Sequence, residues 1–135
     1  MKKILLLLLA VVIVFLGFRL FHSGPQVDET AKSYDTIICF GDSLTYGTGA
    51  GPGMDYPAQL STMISKPVVN AGVPGETTAG ALQRLEQDVL SKSPDLVLIT
   101  LGGNDLKNGV PAEVAFQNLK TIVESIDQVE GYFDA

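Results

Sequence analysis

The sequence of 135 residues contains a single cysteine and a single histidine, and these scarcities restrict its chemistry. Cys39 alone cannot form an internal disulfide. Its place inside an apolar run predicts a small buried core residue rather than a reactive thiol. The only histidine, His22, ends the N-terminal segment, whereas Cys39 belongs to a predicted strand, so ligation of a metal ion is poorly supported. We therefore expect neither a disulfide framework nor a metal centre.

Positive charge is also scarce outside the N-terminal segment. Lys2, Lys3 and Arg19 are the only charged residues before Asp28, which leaves six basic against fifteen acidic residues and a net charge near −9 for the remainder. An acidic domain without basic clusters argues against nucleic acid as a partner.

Several familiar motifs are absent. The glycine-rich stretch GTGAGPG (Gly47–Gly53) contains no G-x-G-x-x-G register and is not followed by Gly-Lys-Ser/Thr. It therefore favours a flexible loop over a phosphate-binding loop. The G-x-S-x-G elbow of the α/β-hydrolases is missing as well, and the sequence shows no internal repeat, low-complexity tract or coiled-coil heptad.

Residues 1–22, MKKILLLLLAVVIVFLGFRLFH, have the pattern of a targeting or anchoring segment. The apolar run from Ile4 to Phe18 is a little short for a membrane span of roughly 17–25 residues, unless Arg19 snorkels and the span continues to Phe21. No Ala-x-Ala cleavage site follows, so a cleaved signal peptide and an uncleaved membrane anchor both stay open. In either case we expect export, to the periplasm or to the outer side of the inner membrane.

After a polar linker at residues 23–33, strand and helix signals alternate three times in a domain at residues 34–135. The predicted strands are Tyr34–Phe40, Pro67–Val69 and Asp95–Leu101, the helices Tyr56–Ile64, Thr77–Ser91 and one from Pro111 onward, and the loops Gly41–Gly53, Ala71–Gly75 and Gly102–Val110. Continuous apolar strands between amphipathic helices predict an α/β fold with a parallel sheet covered on both faces. Sites in such sheets lie beyond the carboxyl ends of the strands.

The loops that follow the three strands carry the parts of an acyl-transfer site. Ser43 follows the first strand and offers a hydroxyl and a backbone N–H. Gly75 follows the second strand, and its N–H can approach a substrate oxygen closely. Asn104 follows the third strand and offers an amide NH2. Each of these three segments alone is typical of an ordinary turn. Because each follows its own strand, the three together indicate a set of hydrogen-bond donors for a developing oxyanion.

Three carboxylates also fall near these loops, at Asp42, Glu76 and Asp105. They allow two interpretations, a carboxylate cluster at the strand ends or ordinary helix caps and solvated loop groups. We expect the second.

The stretches FGDSLTYG, NAGVPGETTAGALQRL and LGGND resemble the first three sequence blocks of the SGNH hydrolases, also called GDSL esterases/lipases. The similarity is greatest to the bacterial arylesterase and lysophospholipase/thioesterase-I group, and it extends from Tyr34 to about Val129. The resemblance implies a flavodoxin-like three-layer α/β/α fold. It also implies hydrolysis of small-molecule or lipid esters and thioesters through an acyl-enzyme, without a cofactor. Ser43 would be the nucleophile, with the Ser43 N–H, the Gly75 N–H and the Asn104 side chain as oxyanion donors.

The family's fourth block, an Asp-x-x-His that supplies the general base, has no counterpart in the sequence. The strands and the helix that the resemblance implies after Val129 are not there either, so we expect the 135 residues to be the N-terminal portion of such a domain. A serine hydroxyl is a weak nucleophile without a base. We therefore expect this portion alone to be inactive and only marginally stable, with an exposed apolar edge at the third strand.

Three hypotheses remain at this point. The first is a portion of an exported SGNH esterase. The second is a non-catalytic, membrane-anchored module that binds acyl or glycan ligands in the remaining cleft. The third is a two-chain enzyme in which another polypeptide supplies the C-terminal part in trans.

Overall fold

The computed structural model describes residues 33–130, and the described residues from Tyr34 onward belong to one compact unit. The predicted targeting segment at residues 1–22 and the linker at residues 23–33, apart from Ser33, lie outside the described residues. The side chain of Val129, which the sequence places on the face of the last helix, lies outside them as well.

Strands and helices alternate along this unit as the sequence predicts. In chain order the elements are β1 (Ile37–Gly41), α1 (Ser43–Tyr46), α2 (Tyr56–Ile64), β2 (Val68–Gly72), α3 (Thr78–Asp88), a 3₁₀ turn (Leu90–Lys92), β3 (Leu96–Thr100), α4 (Gly103–Lys107) and α5 (Ala112–Glu130).

The three strands form one parallel sheet in the order β2-β1-β3. The register is level, because Gly41 at the end of β1 lies opposite Gly72 of β2 and Thr100 of β3. The loops after all three strands therefore leave the same edge of the sheet. The predicted parallel α/β fold is confirmed.

The core is built on both faces of β1, the central strand, all of which is buried. One face packs against α3 and α5 in a cluster that consists of Ile38, Phe40, Ala81, Leu85, Val89, Ile122 and Ile126. The alternate residues Ile37 and Cys39 point to the opposite face and are also buried. The predicted burial of Cys39 is confirmed.

Two predicted loops contain short helices that the sequence analysis did not anticipate. The loop at Gly41–Gly53 includes α1, which is held by the Asp42 carboxylate at its N-terminus and ends at Gly47 with φ 92. The loop at Gly102–Val110 includes α4. A helix of four or five residues is too short to show an apolar period, and for this reason the sequence pattern does not reveal it.

Three boundaries also differ from the prediction by more than one residue. Strand β1 begins at Ile37, whereas a start at Tyr34 was predicted. Strand β2 continues through Gly72 because Ala71 and Gly72 pair with β1, so the loop predicted from Ala71 is shorter. Helix α3 ends at Asp88 and is followed by the 3₁₀ turn, whereas a single helix to Ser91 was predicted.

The outer strand β3 is only partly buried along its length, and within residues 33–130 no strand pairs with its outer side. A groove of about 240 Å³ lies beside it, lined by Leu96, Val97, Ile99, Val123, Ile126 and Asp127. The expected apolar edge is present, and among residues 33–130 only β1 is buried along its whole length.

Candidate active site

The loops that follow β1, β2 and β3 are tied together by main-chain hydrogen bonds at the carboxyl edge of the sheet. The Val73 N–H donates to the Gly41 carbonyl over 2.9 Å, and the Asp42 N–H donates to the Thr100 carbonyl over 3.1 Å. The segments that carry the predicted site residues therefore lie side by side.

Ser43 is the first residue of α1 and is half-buried. The turn beneath it is fixed by Asp42, which is 5% exposed and accepts a hydrogen bond from the Leu44 N–H over 2.9 Å. Gly72 permits this arrangement, because a Cβ there would overlap the Tyr46 backbone. Glycine thus lets α1 lie directly against the end of β2.

Gly75 occupies a tight turn between Val73 and Glu76. The Glu76 N–H donates to the Val73 carbonyl over 3.2 Å, with Pro74 at the second position of the turn and Gly75, φ 78, at the third. This is the pattern of a type II turn, in which a positive φ at the third position favours glycine. Within residues 33–130 the N–H groups of Ser43 and Gly75 donate no hydrogen bond to the chain.

Asn104 lies in α4, which begins after Gly102 with φ 104. Its side-chain NH2 donates to the Glu76 carbonyl over 2.8 Å and approaches the Asp42 carboxylate at 3.5 Å. The carbonyl acceptor fixes the amide so that its nitrogen, rather than its oxygen, lies between the loops after β1 and β2. One of the two N–H bonds is therefore committed, and the other makes only the long contact.

The three carboxylates serve as caps and ion-pair partners and do not form a cluster, as expected. Asp42 caps α1, and Asp105, which is 1% exposed, accepts hydrogen bonds from the Thr78 N–H over 2.9 Å and the Thr78 hydroxyl over 2.6 Å at the start of α3. Asn118 of α5 donates to the same hydroxyl over 3.0 Å. The expected alternative, a solvated loop group, is wrong for all three carboxylates, because Asp42 and Asp105 are buried and Glu76, with a side chain 11% exposed, pairs with Arg84. Glu76 is also not a helix cap, so the expectation fails for this residue.

Arg84 is a residue of this region that the sequence analysis did not identify. It lies on α3, is mostly buried and pairs with Glu76 and Asp88. The i,i+4 spacing to Asp88 was visible in the sequence. The contacts with the strand ends were not, since they involve main-chain carbonyls distant along the chain.

The hydroxyl of Tyr56, on α2, contacts two threonines near the carboxyl ends of the strands. Its hydroxyl lies 3.0 Å from the Thr45 hydroxyl and 3.4 Å from that of Thr100. Burial raises the pKa of Tyr56. Burial also raises the pKa of the neighbouring Cys39 thiol, and the charge of Asp55 adds to that rise. Both groups are therefore neutral packing elements at physiological pH.

Residues 33–130 include no histidine, so no imidazole accompanies Ser43 in the part of the chain that the structure describes. Within the same residues, no three His, Cys, Asp or Glu side chains are grouped to hold a metal ion. None of the described helices is both long and apolar enough to span a membrane.

The fold and these loops define a class: a parallel α/β protein that presents a serine, with amide donors beside it, at the carboxyl ends of its strands. Comparison with known proteins then identifies the family. The chain belongs to the GDSL-like lipase/acylhydrolase family, whose model matches residues 39–131.

Two curated relatives and one solved structure illustrate the similarity. An arylesterase of Vibrio mimicus is 30% identical over 105 residues, which cover 74% of this chain and 52% of the relative. Thioesterase 1/protease 1/lysophospholipase L1 of Escherichia coli (strain K12) is 33% identical over 98 residues, 71% of this chain and 47% of the relative. The crystal structure of AlinE4, an SGNH-hydrolase family esterase, matches with a TM-score of 0.66 and 39% identity, over 73% of this chain and 56% of AlinE4.

The predicted resemblance to SGNH hydrolases is thereby confirmed. The chain spans about half the length of the curated relatives it matches.

Proposed function

We propose that the chain supplies the nucleophile and the oxyanion-binding groups of an exported serine esterase that hydrolyses carboxylic esters or thioesters. The observation that supports this most is the approach of Asn104 to both neighbouring loops, at 2.8 Å from the Glu76 carbonyl and 3.5 Å from Asp42. Ser43 and Gly75 directly follow and precede Asp42 and Glu76, respectively, along the chain, which supports grouping the three predicted residues in one candidate site.

In the proposed reaction the Ser43 hydroxyl attacks the acyl carbonyl and loses its proton to a base. The oxyanion that forms accepts hydrogen bonds from the Ser43 N–H, the Gly75 N–H and the Asn104 amide. Each such donor typically contributes about 2.7–4 kcal/mol to stabilisation of the transition state. Collapse of the intermediate expels the alcohol or thiol, which takes up the proton, and water then hydrolyses the acyl-enzyme.

The base in this proposal is a histidine oriented by an aspartate, as in the Asp-x-x-His of the family, and it comes from polypeptide outside these 135 residues. That polypeptide either continues this chain or is a second chain that associates with it. The groove beside β3 supports the proposal, because an unpaired apolar strand edge is a template for another strand.

The relatives suggest the substrate class, and the N-terminal segment suggests the location. Two relatives are named as an arylesterase and as a thioesterase and lysophospholipase. We therefore propose small aryl esters, acyl thioesters or lysophospholipids as substrates. The apolar run at residues 4–18 supports export to the periplasm, or attachment to the inner membrane if the segment is not cleaved.

The test is a chimera in which residues 1–130 of this chain are followed by the C-terminal part of AlinE4 that this chain does not match. We expect this AlinE4 chimera to hydrolyse p-nitrophenyl acetate, and we expect Ser43→Ala to abolish the activity. A cooperatively folded chimera without turnover would contradict the proposed role of Ser43. Turnover by the 135-residue chain alone, abolished by Ser43→Ala, would contradict an external base.

A second candidate function is a membrane-anchored module that binds acyl or glycan ligands without catalysis. It is favoured by the absence of a histidine in residues 33–130 beside an otherwise intact set of donors. Calorimetric titration of the full chain with a lysophospholipid and with a chitooligosaccharide distinguishes the two proposals. Saturable binding to the chain, together with an inactive chimera, would support the binding module.

A further inference from the structure

The guanidinium of Arg84 contacts three segments that carry or adjoin the candidate site. It donates to the Gly41 carbonyl at the end of β1 and to the Ala71 carbonyl in β2, each over 3.0 Å. Its Nε donates to the Glu76 carboxylate over 2.5 Å, and a further N–H donates to Asp88 on the same helix over 2.9 Å. The side chain is 16% exposed, so this charge is largely removed from water.

Glu76 connects this ion pair to two of the proposed oxyanion donors. Its carboxylate binds Arg84, its main-chain carbonyl accepts the Asn104 amide, and its N–H closes the turn that contains Gly75. The Glu76 side chain is 11% exposed. One residue thus fixes the direction of the Asn104 amide and the end of the Gly75 turn.

Apart from the contacts of Glu76, few contacts hold the Gly75 turn in place. A Cβ built on Gly75 would meet nothing within 4 Å, so the outer side of the turn is open. On its inner side the turn is held by the Val73–Gly41 hydrogen bond and by the contacts of Glu76. Movement of the Glu76 carboxylate would therefore move the peptide that presents the Gly75 N–H.

Gly80 on α3 shows how closely the carboxylate is confined. A Cβ at Gly80 would overlap a Glu76 carboxylate oxygen. Glycine within a helix costs stability relative to alanine, and here it leaves room for the carboxylate to reach Arg84.

We propose that Arg84 and Glu76 are positioning residues for the oxyanion hole, acting through the Gly75 turn and the Asn104 amide. This inference rests on the proposed function, since it assigns a purpose to the donors named there. The Asp88 contact offers an internal control, because it joins two residues of α3 and does not reach the turn.

The experiment compares Glu76→Ala with Asp88→Ala in the full 135-residue chain, labelled with ¹⁵N in a mild detergent. Each variant removes one carboxylate from the same guanidinium. For Glu76→Ala we expect the Gly75 N–H and the Asn104 side-chain NH2 to shift in the NMR spectrum, with hydrogen exchange about tenfold faster at Gly75 as the turn opens locally. For Asp88→Ala we expect both signals to stay in place, whatever the change in melting temperature.

Two further variants separate position from stability. Glu76→Gln keeps an acceptor for Arg84, and we expect it to restore most of the native Gly75 and Asn104 signals. Helix propensity alone would make Gly80→Ala raise the melting temperature. Since the added Cβ displaces the Glu76 carboxylate, we expect this variant to shift the Gly75 and Asn104 signals.

Unchanged Gly75 and Asn104 signals in Glu76→Ala, or equal shifts in Asp88→Ala, would overturn the inference. The spectra do not require turnover, so an inactive AlinE4 chimera would contradict the proposed function and leave this result standing.

Discussion

At the scale of single residues, the candidate site depends on the direction of its hydrogen-bond donors. Asn104 is the clearest case, because the Glu76 carbonyl accepts one of its N–H bonds and thereby directs the other towards the loop that carries Ser43. An aspartate of the same shape could not donate to that carbonyl. The hydrogen bond to the Glu76 carbonyl thus requires an amide at position 104, independently of any substrate.

We expect Asn104→Ala in the AlinE4 chimera to lower kcat by about 10²–10³-fold, the usual effect of removing one oxyanion donor. KM should change much less, because the lost interaction forms mainly in the transition state. The measurement is steady-state hydrolysis of p-nitrophenyl acetate, with Asn108→Ala, at the far end of α4, as the control. Loss through KM alone would argue that Asn104 binds substrate and does not stabilise the oxyanion.

The buried Cys39 and the partly buried Tyr56 predict how the free energy of unfolding depends on pH. Both have a pKa raised above the ordinary values of 9.0 and 10.0, so the folded state holds these protons more tightly than the unfolded state does. The free energy of unfolding should therefore be independent of these groups at neutral pH and fall as pH rises above about 9. Urea denaturation at several pH values between 7 and 10.5 measures this dependence.

Two variants test the assignment of that slope. Cys39→Ala and Tyr56→Phe each remove one acid, and we expect each to flatten the decline above pH 9, whatever its effect on stability at pH 7. An alkaline slope that is the same in both variants and in the native chain would show that other groups cause it.

At the scale of elements, the sequence predicts the helices and strands that are long enough to show a periodic pattern of apolar residues. Helix α2 occupies the predicted residues Tyr56–Ile64. Each of the three strands overlaps an apolar run that is flanked by loop residues in the sequence. Helices α1 and α4 were not predicted, because they owe their form to particular contacts such as the Asp42 cap and the turn at Gly102. Such contacts leave no repeating pattern in the sequence.

That the loops of the candidate residues leave one edge of the sheet was predictable for a different reason. In a parallel sheet with level register, the order of strands alone brings the following loops to one edge, so Ser43, Gly75 and Asn104 could be grouped without coordinates. Arg84 could not be, because its role depends on the Gly41 and Ala71 carbonyls. Any residue type supplies a carbonyl, so the sequence carries no signal for this contact.

The hydrogen bonds of Asp105 join three helices and predict a structural effect. The carboxylate accepts two hydrogen bonds from Thr78 at the start of α3, and Asn118 of α5 donates to the same threonine. In Asp105→Asn the amide oxygen can accept from the Thr78 N–H, but the Thr78 hydroxyl then loses the acceptor of its proton, and we expect a loss of about 1–3 kcal/mol in the free energy of unfolding. Thr78→Ser retains the hydroxyl and is the control in urea denaturation. A loss equal to that of the control would show that this network contributes little.

At the scale of the whole molecule, the open side of the sheet is the dominant feature. Strand β1 is fully buried between two neighbours, whereas β3 has one neighbour within the described residues and borders the apolar groove. We accordingly expect the 135-residue chain to be only marginally stable by itself. Additional polypeptide along β3 would bury the groove and, in the proposed function, bring the base to Ser43.

This interpretation predicts that an ammonium added among the apolar residues of the groove, which Asp127 also lines, should destabilise the completed domain. Val123 lines the groove and is 44% exposed, so Val123→Lys costs the isolated chain little but places an ammonium where the added polypeptide of the AlinE4 chimera must pack. We expect a chimera that melts at lower temperature and has lost activity. Val114→Lys is the matched control, since Val114 lies on the same helix, is 48% exposed and does not line the groove. If both variants leave the chimera equally stable and active, the groove is not the surface that the rest of the domain covers.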